Sequence, residues 1–165
     1  MSRSQHLSAA HELEAFDSGT VVLDDWLRRF ARHAEAANTG RTFVWVEPGS
    51  RAVVGYFTLA AHLLRRADVP KGIGRGSPEV IPAILLARLA LDRSLHGKGL
   101  GGELLLDALE RAVDASARAA ARFIVVDAID EAAVRFYRRF GFRSWPDSHR
   151  LVRKTSEVAA ALHDR

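Results

Sequence analysis

Gly97, Lys98, Gly99, Gly101 and Gly102 close the segment Leu89 to Gly102, in which an apolar, β-like run ends in a turn carrying four glycines and feeds a Leu-rich amphipathic stretch. A strand that stops at such a turn leaves backbone N–H groups without acceptors, and the helix that follows adds the positive end of its dipole, so the segment reads as a cradle for a phosphate or pyrophosphate. Glycine suits the task because positive φ costs it nothing and no Cβ blocks the ligand's approach to the backbone. A plain strand-to-helix turn would use the same residues. No Ser or Thr follows Lys98, so the magnesium ligand of a P-loop is missing. Asp127 after Phe123 to Val126 keeps the acidic spacing of a dinucleotide site. That topology is excluded, because the glycine turn falls beyond the middle of the chain with room for one further β-α unit.

Tyr137 is the second group with chemistry to offer. Ile129, Ala133, Phe136 and Phe140 follow the spacing of a buried helical stripe. Tyr137 lies about 100° round the helix from Phe136, so its hydroxyl is expected to leave the core and face a cleft. Periodicity alone is equally consistent with a boundary tyrosine whose hydroxyl is hydrogen-bonded. Arg138 and Arg139 precede Gly141 in the last turn, where cations complement the helix dipole and also stand ready for phosphate.

The elements that must hold these groups are legible in outline. Val22 to Ala37 carries a 3.6-residue apolar stripe (Leu23, Trp26, Leu27, Phe30, Ala31, Ala34) and reads as one helix closed by Asn38 and Gly40. Thr42 to Val46 and Ala52 to Ala60 read as strands joined across Glu47-Pro48-Gly49-Ser50. Lys71 to Pro78 is rich in glycine and reads as a mobile loop, and Ile81 to Leu91 as the next strand. Glu103 to Ala115 reads as a helix, Arg122 to Ala128 as a buried strand, and Glu131 to Phe140 as a helix. Phe142 to Trp145 and Arg150 to Lys154 read as closing strands. The order is that of a mixed α/β sheet flanked by helices.

The 165 residues suit one domain over 1–165 with a real core. Cysteine is absent, which excludes a disulfide framework, a thiol nucleophile and thiolate metal ligation. The seven histidines make no metal-binding spacing, so no metal is expected. There is no apolar run of membrane-spanning length, and MSRSQHLSAAHELEAF lacks the apolar region of a signal peptide, so a cytoplasmic protein is expected. Lys plus Arg number 24 against 20 acidic residues, and almost all the cations are Arg, whose planar fork suits phosphate oxygens. From Ala132 onward eight basic residues face three acidic ones, and Arg65, Arg66, Lys71 and Arg75 form a second basic run. Both runs fit a polyanionic partner as well as a solvated face.

His96-Gly97-Lys98-Gly99-Leu100-Gly101 resembles the R/Q-x-x-G-x-G/A signature of the GNAT superfamily of acetyl-CoA-dependent N-acetyltransferases, with His96 where the family has Arg or Gln. Asp130 to Phe142, DEAAVRFYRRFGF, resembles that family's second signature, with Asp130 in place of Asn; either residue caps a helix. The branch most similar is that of the toxins of bacterial type II toxin-antitoxin modules that acetylate aminoacyl-tRNA. Phe16-Asp17-Ser18-Gly19, Leu23 to Leu27, Arg41 to Val46, Val54 to Leu59 and Ala128 to Ala133 carry that likeness, which runs from about Phe16 to Phe142.

The resemblance implies a GNAT fold with a central twisted sheet of six to seven strands. It implies acetyl-CoA held by Leu89, Ala90, Leu91, His96, Gly97, Lys98, Gly99, Gly101, Gly102, Asp130 and Phe136, and Tyr137 as general acid. It implies aminoacyl-tRNA as acceptor, and on charge alone Arg65, Arg66, Arg75, Arg88, Arg93, Arg138 and Arg139 are the residues expected to contact it. It also implies an antitoxin of ribbon-helix-helix type and a homodimer whose composite basic groove would span more tRNA. No carboxylate stands out as a base; Glu47, Asp92 and Asp127 are weak candidates. That absence fits an α-amino group, which titrates near about 7.7 to 8.0 and needs less help than a lysine amine at about 10.4. Acetylation of a protein or small-molecule amine, or a non-catalytic module that binds CoA or nucleic acid, stands as the alternative; the net +4 argues against polyamines.

Overall fold

The computed structural model describes residues 4–165. Strand β1 (Gln5–His6) is followed by helices α1 (Val21–Arg29) and α2 (Ala31–Ala37), then strands β2 (Arg41–Val46) and β3 (Val53–Arg65). Strand β4 (Val80–Leu91) leads into helix α3 (Leu100–Arg118), strand β5 (Phe123–Asp127) and helix α4 (Glu131–Arg139). Strands β6 (Arg143–Ser144) and β7 (Arg150–Lys154) precede helix α5 (Thr155–His163). The seven strands are hydrogen-bonded in the order β1-β2-β3-β4-β5-β7-β6. By contacts the chain forms two compact units, Met1–Ala60 with Ala87–Arg111, and Ala61–Leu86 with Ala112–Arg165. No helix among the described residues is long and apolar enough to cross a membrane.

In the first unit β2 pairs antiparallel with both β1 and β3. Leu27 and Ala31, four residues apart, are fully buried with Phe16, Val44, Tyr56 and Ala90, and Trp26 packs against this core. The stripe expected to make one helix over 22–37 instead makes two. Phe30 adopts φ −122°, ψ −20° between them and is half exposed, so the bend keeps Ala31 on the core while Phe30 leaves it. The start of α1 is fixed by buried Asp24, which accepts from the Ser18 N–H at 3.0 Å and the Ser18 hydroxyl at 2.6 Å. Helix α2 stops where Asn38 turns left-handed at φ 60°.

In the second unit β4 and β5 run parallel through Ala83–Leu86 and Phe123–Val126, and β7 pairs antiparallel with β5 and β6. Phe123 to Val126 are all buried, as a continuous apolar strand covered on both faces requires. Strand β3 reaches Arg65, five residues beyond its expected end, and the Arg66 N–H donates to the Glu79 carbonyl beside the start of β4. The loop expected to be mobile is tied down: Ile73 packs on the core of Leu64, Ile81 and Phe123, and Arg122 Nε donates to Ser77 Oγ at 2.8 Å. Helix α5 was not evident in the sequence, because only Val158 and Thr155 of its nine residues are buried.

Helix α4 ends in a glycine-terminated turn: the Gly141 N–H donates to Arg138 O and the Phe142 N–H to Tyr137 O, with Gly141 at φ +85°. A Cβ there would stand 2.9 Å from Arg153 Cζ, and Arg153 itself donates to Phe140 O. Gly141→Ala is therefore expected to destabilise the protein by about 1–2 kcal/mol from the left-handed backbone alone, and by more once Arg153 is displaced; urea denaturation measures it.

Candidate active site

In the first unit the last residues of β4 and the turn after it form one braced segment. Ala90 and Leu91 are buried, and Gly55 on β3 allows close packing, since a Cβ there would lie 3.3 Å from Leu91 Cδ1. Asp92 Oδ1 accepts from the Ser94 N–H and hydroxyl, and Oδ2 from the Asp17 N–H. Burial raises its pKa, but those donors and the nearby His96 outweigh it and hold the carboxyl below its usual range. His96 Nε2 lies 2.8 Å from the Leu91 carbonyl, so that nitrogen carries the proton and ties the turn back to the strand. This is a role the sequence did not suggest for His96, and it leaves Nδ1 for any ligand.

Gly97 and Gly99 have φ of +75° and +74°, with nothing within 4 Å of a built Cβ at either. Their requirement is thus conformational, and the space above them is open. Gly101 and Gly102 belong instead to the first turn of α3, which starts at Leu100 rather than Glu103. Their N–H groups are among the four that a helix leaves without internal acceptors. The turn and the helix start lie together, with exposed Lys98 between the two left-handed glycines.

Two arginines of the same unit differ sharply. Arg93 is paired with Asp17, Nε to Oδ2 at 3.0 Å and Nη2 to Oδ1 at 3.1 Å, an exposed ion pair that already engages its charge. Arg88 is half-buried on β4 with its guanidinium 4.0 Å above the Trp26 ring.

In the second unit Tyr137 is on the buried face of α4, together with Val134. This corrects the expected stripe: Ile129 precedes the helix and is half exposed, while Phe136 and Phe140 lie on the flank, half-buried. Two apolar series, 133-136-140 and 134-137, share the helical period, and sequence alone could not choose between them. The Tyr137 ring meets Phe136 and Phe142 edge-on at 5.2 and 5.9 Å. Its hydroxyl makes no hydrogen bond within the unit, and burial pushes its pKa up, so it keeps its proton at neutral pH.

Asp130 Oδ1 accepts from the Ala133 N–H at 2.8 Å, the helix cap anticipated from its type. Arg138 and Arg139 are exposed, with Arg139 5.9 Å from the Phe136 ring centroid. Arg66, Lys71 and Arg75 line one pocket of about 290 Å³, and Arg65, the last residue of β3, does not line it. Asp127 and Arg150 form a two-armed pair at 2.8 and 2.9 Å, and His62 Nε2 lies 3.3 Å from Arg150 Nη1. Burial and then the Arg150 charge lower the His62 pKa, keeping it neutral. Sequence reasoning missed this cluster, whose members come from three strands. Of the three carboxylates considered as bases, Asp92 and Asp127 are thus engaged and Glu47 sits in the β2–β3 turn.

The model of the acetyltransferase (GNAT) family matches residues 7–142. A tRNA-acetylating toxin of Mycobacterium tuberculosis is 39% identical over 164 residues, 99% of this chain and 98% of that protein. Among solved structures, AtaT complexed with acetyl-methionyl-tRNAfMet is similar with a TM-score of 0.84 at 28% identity, covering 96% of this chain and 97% of that one. A tyrosine-to-phenylalanine mutant of the AtaT toxin, bound to the C-terminus of the antitoxin AtaR and acetyl-CoA, is similar with a TM-score of 0.81 at 25% identity, covering 97% of each.

Hydrogen bonds from Arg150 hold the Asp127 pKa below its usual value, against burial. A depressed folded-state pKa contributes stability that is complete above the unfolded value, about 3.9, and is lost as pH falls through the folded one. The stability difference between wild type and Asp127→Asn, measured by urea denaturation, is therefore expected to be constant from pH 5 to 7 and to shrink below about pH 4.

Proposed function

The chain belongs to the GNAT acetyltransferase family, and from that premise we propose that it transfers acetyl from acetyl-CoA to the α-amino group of aminoacyl-tRNA, blocking translation until an antitoxin restrains it. The observation that carries this reading is 39% identity across 99% of the chain to a tRNA-acetylating toxin. The neighbouring AtaT structures, with acetyl-methionyl-tRNA in one and antitoxin with acetyl-CoA in another, agree with it.

Acetyl-CoA supplies an activated thioester, whose C–S bond breaks as the amine nitrogen bonds to the acetyl carbon. The open glycine turn fits a pyrophosphate: the N–H groups of Gly97 to Gly102 bind its oxygens, and Lys98 adds a charge. Backbone N–H groups of Leu89 to Leu91 hold the carbonyl oxygen where negative charge develops. Asp130 fixes the start of α4, and Phe136 packs beside the Tyr137 ring. The Tyr137 hydroxyl gives its proton to the departing sulfur, and the proton lost by the amine returns through water to the Tyr137 oxygen. No protein base is required, because an α-amine near neutrality is already partly unprotonated. Arg65, Arg66, Arg75, Arg88, Arg138 and Arg139 meet the tRNA phosphates. Arg93 joins them only by releasing Asp17. The chain works as one domain in the cytoplasm, as a homodimer, and its antitoxin is of the ribbon-helix-helix type; these last points rest on family likeness.

Labelled acetyl from acetyl-CoA is expected on charged tRNA, and on neither uncharged tRNA nor a lysine peptide. Tyr137→Phe is expected to lower kcat by about a hundredfold or more, the range for a lost general acid, with acetyl-CoA affinity unchanged. Label on the peptide, or full activity in the variant, would contradict the acceptor or the acid respectively.

A further inference from the structure

Arg88 carries a charge that its surroundings do not match. Its guanidinium rests on Trp26, and Trp26 stacks on Tyr56 with ring centroids 6.3 Å apart and planes 9° from parallel. Tyr56 is fully buried, meets Phe16 edge-on at 5.6 Å and donates its hydroxyl proton to the Leu23 carbonyl at 2.7 Å. The stack is therefore anchored in the core, and it fixes where the guanidinium sits. The carboxylates of the same neighbourhood are taken: Asp24 by Ser18, Asp25 by Arg28, Asp17 by Arg93. No hydrogen bond or ion pair from the described residues of the unit reaches Arg88. A half-buried arginine whose N–H donors meet no protein acceptor turns them to solvent, where the oxygens of a ligand can take them. Its fork fits the oxygens of a phosphate.

The position tells which phosphate. Arg88 immediately precedes Leu89 to Leu91, and along an extended strand Leu91 lies about 10 Å further on, with the glycine turn beyond it. The pyrophosphate of acetyl-CoA belongs to that turn, so an anion at Arg88 comes from the other substrate. In an aminoacyl-tRNA the phosphate nearest the α-amine is the phosphodiester on the terminal nucleotide. We propose that Arg88, braced by Trp26 and Tyr56, is a phosphodiester-binding site that seats the terminal phosphate of the acceptor and so sets the amine against the acetyl-holding strand. This rests on aminoacyl-tRNA being the acceptor.

The test is equilibrium binding of a stable, amide-linked 3′-aminoacylamino-3′-deoxyadenosine, with and without a 5′-methyl phosphodiester, to wild type, Arg88→Gln and Arg88→Lys. Wild type is expected to prefer the phosphodiester form by about tenfold or more, the scale of a charge-assisted pair. Arg88→Gln is expected to lose that preference while binding the phosphate-free form as wild type does, and Arg88→Lys to keep part of it. Equal wild-type affinity for the two forms, or an Arg88→Gln defect of the same size on both, would overturn the site. Acetyl transfer to charged tRNA by wild type, run alongside, judges the acceptor separately: its failure would overturn the proposed function, whereas the binding preference speaks only to Arg88.

Discussion

Everything in the first unit that bears on chemistry depends on keeping backbone N–H groups uncovered at the glycine turn where α3 begins. A folded chain ordinarily pairs such groups, and leaving them open demands that the segment be held from outside. Here the bracing is side-chain work. His96 reaches back to the Leu91 carbonyl, and Asp92 collects three donors, one of them from Asp17 far away in sequence. Two left-handed glycines give the turn its path, and α3, nineteen residues long, aims its dipole at the same place.

The second unit offers the complementary kind of group. Tyr137 is inside the helix–sheet packing, among aromatic edges, with no internal partner for its hydroxyl. Burial raises its pKa, so the hydroxyl stays protonated at neutral pH. The carboxylates that could have served as bases are engaged elsewhere, Asp127 by Arg150 and Asp92 by the turn it caps. An acid without a partner base suits an acceptor that brings its own nucleophilic nitrogen, and the same logic runs through the basic pocket of Arg66, Lys71 and Arg75, which suits a polyanion.

Much of this was readable in the residues. The glycine turn, the helix cap at Asp130 and the strand at 150–154 follow from local chemistry, because each depends on side chains close in sequence. The break at Phe30 did not, since a stripe of apolar residues continues through it and only packing reveals the bend. The face of α4 was misread for a related reason: two apolar series share its period, and what decides is the sheet beneath. The pairing of Arg93 with Asp17, the stack of Arg88 on Trp26 and the cluster of His62, Asp127 and Arg150 join residues from separate elements. No spacing rule reaches them.

The central claim is that the enzyme supplies an acid and oriented donors while the acceptor amine supplies its own base form. The pH dependence of kcat/KM tests it most directly, measured with aminoacyl-tRNAs whose amines differ in pKa, with Glu47→Gln, Asp92→Asn and Asp127→Asn alongside wild type. The account predicts one rising limb whose midpoint follows the amine from acceptor to acceptor and is the same in all three variants. A midpoint that stays fixed as the acceptor changes, or that disappears in a carboxylate variant, would show a protein base and contradict it.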